Sequence, residues 1–111
     1  PDKFTQTLRS SGKEPVENTY TGVPLSAALL AVDQAILDNT SAVIVKAVDG
    51  YTIAYPIDEV LRENHLFLVW ERDGRPLGTK DEGGSGPLLV IPRQDEFGQR
   101  WCKFAIEAEL R

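Results

Sequence analysis

Four short runs rich in β-branched and aromatic residues, each cut off by an Asp-Gly pair or a proline, limit this chain more than any other feature. They lie at residues 42–45, 51–55, 66–70 and 88–91. Runs of this length and composition are strands. An Asp-Gly pair between two of them is a strong hairpin signal, because a two-residue turn needs positive φ at its centre. Asp49-Gly50 joins the first two runs, Asp73-Gly74 closes the third, and Pro56 and Pro92 end the second and fourth. Hairpins build antiparallel sheets, so the expected fold is α+β, with a mixed, mostly antiparallel sheet and a few short helices.

The remaining segments fit around that sheet. Phe4, Thr5 and Thr7 begin a strand ahead of a loop at 10–15. Leu25, Ala28, Leu29, Val32 and Ile36 recur at helical spacing, so a helix over 25–37 is expected to bury Leu29, Val32 and Ile36. Pro24 suits its first turn. Asp58 is expected to cap a short helix running through Leu61 to Asn64. Residues 74–86 read as a long flexible loop, 95–98 as a turn, and 101–106 as a last strand. Phe67, Trp70, Trp101 and Phe104 are expected to pack in the core.

With 111 residues, of which 41% are apolar, the chain suits a single globular domain over 1–111. Its net charge of −5 argues against a nucleic-acid partner, which would need a basic surface. One cysteine, Cys102, and one histidine, His65, exclude an intrachain disulfide, a cysteine-rich zinc site and a two-histidine site. No apolar run approaches the ~20 residues of a membrane-spanning helix, so a soluble chain is expected. The chain opens on Pro1, which leaves the compartment open, with an exported, periplasmic location among the expectations. Whether the chain has a protein partner is left open by the sequence.

Several features invite a chemical reading. His65, at a helix-to-strand junction, reads as a capping or solvent-facing residue, since no nucleophile elbow accompanies it. Gly83-Gly84-Ser85-Gly86 lacks the Lys of a P-loop and precedes a strand, so it reads as a flexible surface loop, the alternative being that its bare amides approach an anionic ligand. Arg93, Arg100 and Lys103 concentrate positive charge near the C-terminus. On a regular strand Arg100 and Lys103 point to opposite faces, and a bulge near Gly98 would bring them together. A solvated sheet edge accounts for the same charges. Asp33, Asp38, Asp49, Asp58 and Glu59 show no spacing that implies acid–base work.

Five segments in order resemble one family. They are Tyr20-Thr21-Gly22-Val23-Pro24-Leu25, Asp49-Gly50-Tyr51 with Pro56-Ile57, Asp73-Gly74-Arg75-Pro76-Leu77, 86–92, and 97–104. Together they resemble the sulfite oxidase-type molybdopterin-binding domain over about residues 20–110. That resemblance implies the same α+β fold and a pterin pocket holding an anionic tail. Carried over residue by residue, it implies ligand contacts from Asp49, Tyr51, Gly86, Arg93, Gly98, Arg100 and Lys103. It also exposes departures. No cysteine precedes residue 20, so the family's molybdenum ligand is missing, Cys102 does not match its position, and serine is a poor substitute for a thiolate. Leu89 and Trp101 stand where the family often has arginine and serine.

The expectation is therefore a non-catalytic module with no catalytic residues. It binds a molybdopterin-like pterin or another small anionic ligand, without molybdenum. Two other readings stay open: an interaction or sensory module that has kept the fold and lost the pocket, and a molybdenum oxidoreductase with a substitute ligand. Convergence of Asp49, Arg100 and Lys103 on one cleft separates the first from the second.

Overall fold

The computed structural model describes residues 1–111. Its strands are β1 (Asp2–Leu8), β2 (Val16–Pro24), β3 (Ala42–Ala47), β4 (Thr52–Pro56), β5 (Leu66–Arg72), β6 (Arg75–Pro76), β7 (Leu88–Pro92) and β8 (Cys102–Leu110). Two short helices, α1 (Leu25–Val32) and α2 (Ile57–Leu61), interrupt them. The sheet runs β1-β2-β5-β7-β8-β3-β4, with β6 added to β5. Every pairing is antiparallel. The sheet curls enough that Gln6, on the edge strand β1, exchanges hydrogen bonds with Arg93, just past β7. The fold is thus α+β with few short helices, and no helix is long and apolar enough to cross a membrane.

The Asp-Gly signals act as expected. Asp49-Gly50 joins β3 to β4, which pair from Ala42↔Pro56 to Lys46↔Thr52. Asp73 and Gly74 both take positive φ, and Arg72 pairs with Arg75 across them. This is the two-residue hairpin turn that matches strand twist.

Alternation along the central strands divides the core in two. Leu66 of β5 and Val90 of β7 join Leu25, Leu29, Val43, Val45, Tyr55, Val60, Cys102 and Ala105 on the face covered by the helices. Phe67, Val69, Leu89 and Ile91 face the other way, with Tyr20, Leu77 and Trp101. A period-two strand buried on both sides reads as a continuous apolar run, as β7 does.

Four expectations need correction. The helix stops at Val32, five residues early. Asp33 Oδ1 accepts the Ala35 N–H at 3.0 Å, so its side chain supplies a turn that competes with further helix. Val32 is 78% exposed, while Leu29 is buried and Ile36 only half-buried. Asp58 does not cap α2: Pro56 stands at the cap without a side-chain bond, and Asp58 lies 3.6 Å from Arg62 one turn on. Residues 74–86 are not a featureless loop. They hold β6 and a single 3-10 turn at Lys80–Glu82, closed by a reciprocal cap between Thr79 and Glu82. Residues 16–24 form a nine-residue strand that the polar run there had concealed.

Candidate anion cleft and the Arg100 cluster

The positive charges near the C-terminus do not form one site. Arg100 sits in a 3-10 turn at Gly98–Arg100, not on a strand. Its guanidinium is bidentate to Glu59, with Nη1 to Oε2 at 3.0 Å and Nη2 to Oε1 at 2.7 Å. It is also bidentate to Asp95, with Nε to Oδ2 at 2.8 Å and Nη2 to Oδ1 at 2.7 Å. Such fork-to-carboxylate pairs are the strong, directional kind. They hold the Glu59 carboxyl at about 2, well below its usual 4.5, against the opposing effect of burial. The same carboxylates raise Arg100 above the usual arginine value. Tyr55 donates its hydroxyl to the Arg100 carbonyl at 2.5 Å, and burial raises the phenol far above its ordinary value.

His65 belongs to this cluster and is 1% exposed, so the solvent-facing reading is corrected. Its Nδ1 accepts the Gln94 N–H at 3.2 Å. By that hydrogen-bond pattern the ring proton is on Nε2, which donates to Glu59 Oε1 at 2.7 Å. Both ring nitrogens are engaged, and neither meets a serine. Glu59, His65 and Asp95 put ligand atoms within 4.8 Å of one another. A metal ion does not fit there as the residues stand, because the Arg100 cation already bridges both carboxylates and the His65 nitrogen facing them carries a proton. The cluster ties α2, the start of β5 and the β7–β8 connection into one unit.

Arg93 is also committed. Its guanidinium carbon lies 4.4 Å above the Phe4 ring, Nε donates to Gln6 at 3.0 Å, and Nη1 donates to Asn64 at 2.6 Å. Gly98 packs where a Cβ would strike the Leu8 side chain. Asp49 Oδ1 accepts the Tyr51 N–H at 3.1 Å, and the Tyr51 hydroxyl donates to the Gln99 carbonyl at 3.1 Å. Gly86 donates its N–H to Gly78 at 2.7 Å, and a Cβ there would meet the Leu77 side chain.

Lys103 is different. It lines a cleft of about 140 Å³ with Arg72, Tyr20, Trp101, Leu8, Leu89 and residues 83–85. Neither Asp49 nor Arg100 lines it, so the convergence of Asp49, Arg100 and Lys103 expected of a ligand-binding module is not present, and such a reading has to rest on other residues. Lys103 and Arg72 make no ion pair, and no carboxylate lines the cleft. Three amides of the glycine-rich stretch are occupied: Gly83 bonds Lys80, Gly84 bonds Thr79, and Gly86 bonds Gly78. Ser85 is the exception. Its N–H makes no hydrogen bond within the chain. Its Oγ is buried without a partner, in a residue only 8% exposed. A buried hydroxyl left unsatisfied costs roughly 1–3 kcal/mol, so it marks a place where a ligand group would be stabilised.

Sequence reasoning did not find Ser85, Arg72 or Tyr20 as a group. The glycine-rich stretch beside Lys103 was the only available signal, and Arg72 gave none. Cys102 lies on the other face of the sheet, fully buried, with its thiol pushed up to about 11 by burial and, secondarily, by Asp49. It does not fit a thiolate ligand for molybdenum.

No model of a known protein family and no curated protein matches this sequence.

Proposed function

We propose that this chain is a non-catalytic binding module for a small anionic ligand, whose oxyanion group enters the cleft between Arg72, Lys103 and Ser85. One observation carries the reading: Ser85, whose buried hydroxyl has no partner, is among the residues lining a cleft that has two unpaired cations and no carboxylate. The chemistry suits a phosphate-sized group. Lysine offers a point charge, arginine a planar fork, and serine a hydroxyl donor. The cleft accommodates such a group but not a whole pterin ring system.

The proposal extends to lineage. The five motifs over residues 20–110 resemble the sulfite oxidase-type molybdopterin-binding domain, and in that reading the chain is a short branch of it. The resemblance supports an anionic pterin tail near Lys103. Arg100, bound to Glu59 and Asp95, has a holding role and is not a ligand contact in this reading.

Calorimetric titration tests it. Inorganic phosphate, pyrophosphate and a phosphorylated pterin are each added to wild type, Arg72→Ala, Lys103→Ala and Ser85→Ala. Saturable heat is expected for at least one anion, with each loss of a charged partner weakening binding by ~1.5–3 kcal/mol. No saturable heat for any of the three, or equal binding by all four proteins, would refute the proposal.

A further inference from the structure

A second cavity lies on the opposite face of the sheet from the Ser85 cleft. It has a volume of about 150 Å³ and sits between α1 and strands β3, β5, β7 and β8. Leu25, Ala28 and Leu29 line it from the helix; Val45, Leu68 and Val90 are among those that line it from the sheet. Of the eleven lining residues, ten are apolar. Glu107 is the exception, and its carboxylate is drawn to Lys46, 3.3 Å away. Ile106, Glu107 and Ala108 are exposed and form a mouth.

The space exists because alanines stand at three lining positions, Ala28, Ala105 and Ala108. A water molecule needs two to four polar partners, and the interior wall offers none. The mouth at residues 106–108 opens the space to solvent, and its volume is of the order that takes up a benzene-sized guest. The lining atoms meanwhile lack van der Waals partners on the cavity side. A neutral apolar guest restores those contacts without stripping water from any buried polar group, whereas a charged guest would lose its hydration with no donor or acceptor in return.

We propose that this cavity is a binding site for a small neutral apolar molecule, about the size of a benzene ring or a short branched alkyl chain. The site is separate from the anion cleft and does not depend on it, since β7 divides the two. Leu88 and Val90 face the cavity, while Leu89 lines the cleft.

The test is titration of benzene into the protein, followed by methyl NMR, with wild type, Ala28→Leu and Ala27→Leu compared. Saturable shifts are expected on the methyls of Leu29, Val45 and Val90, and not on those of Ile91 and Leu77 across the sheet. Ala28→Leu fills the cavity from the helix and is expected to abolish the shifts. Ala27→Leu adds the same bulk at an exposed neighbouring position and is expected to retain them. Absence of saturable shifts in wild type, shifts centred on the other face, or unchanged binding by Ala28→Leu would each overturn the proposal. Should Ala28→Leu fail to fold, the distribution of methyl shifts in wild type decides by itself.

Discussion

Replacing Glu59 with glutamine keeps the shape of the side chain and removes the charge that Arg100 grips through two hydrogen bonds. The Glu59 carboxyl is held at about 2 against its usual 4.5, first by those bonds and then by the one from His65. At ~1.4 kcal/mol per pH unit, the difference is worth about 3 kcal/mol at full strength. Arg100 keeps 37% of its side chain in water, so screening reduces the contribution to about 1–2 kcal/mol. A carboxyl whose value is lowered on folding stabilises fully above its unfolded value. It loses that contribution as pH falls through its folded value. The window is therefore pH 4.5 down to about 2. Urea denaturation of wild type and Glu59→Gln, at steps from pH 7 to pH 2, reads the effect as a difference, so carboxylates common to both proteins cancel. Glu59→Gln is expected to be about 1–2 kcal/mol less stable at pH 7 and to approach wild type near pH 2. An equal gap at both ends, or none at pH 7, would refute the assignment of Glu59 as the anchor of Arg100.

Three further outcomes follow from the packing. Cys102, buried and with its thiol raised to about 11, is expected to resist a disulfide reagent at pH 8 in the folded protein and to react at once in denaturant; rapid reaction without denaturant would contradict its burial. Leu29→Ala is expected to cost ~2–5 kcal/mol, whereas Val32→Lys should change stability by less than ~0.5 kcal/mol, and comparable losses measured by thermal melts would restore the longer helix. At Gly22 a Cβ would run into the backbone carbonyl of Leu68, so Gly22→Ala is expected to lower stability by more than ~3 kcal/mol, and a variant as stable as wild type would show that the β2–β5 bulge can relax.

The hairpins were legible because turn chemistry is local. Gly50 alone and Asp73-Gly74 together carry the positive φ that the turns require, and the runs beside them carry the strands. The end of α1 was not legible from spacing, because Val32 and Ile36 continue the apolar pattern. What stops the helix is a side-chain bond from Asp33 that periodicity does not register. β2 was hidden because Glu17, Asn18 and Thr19 are polar. Its pairing with β1 and β5 overrides their local preference. The site divides in the same way. Lys103 and the glycine-rich stretch stood out as residue types, and the fold brings them together. Nothing in the sequence joins Arg72 to them, since that contact depends on how the β2–β5 pair meets the β7–β8 pair. Glu59, His65, Asp95 and Arg100 lie up to 41 residues apart, and no spacing rule connects them.

β7 is apolar on both sides, and this has a consequence for how the chain finds its pairing. In a strand with one wet face, a slip by one residue turns the whole apolar set towards water, and the penalty enforces the alignment. In β7 such a slip would exchange Leu88 and Val90 for Leu89 and Ile91, apolar for apolar, and the strand's own side chains would oppose it only weakly. Alignment must then come from its ends. At one end the Arg93 N–H donates to the His65 carbonyl at 2.8 Å; at the other, the Phe104 N–H donates to the Ser85 carbonyl at 2.8 Å. His65 of the Arg100 cluster and Ser85 of the Lys103 cleft are thus also the two pins that set the frame of the central strand.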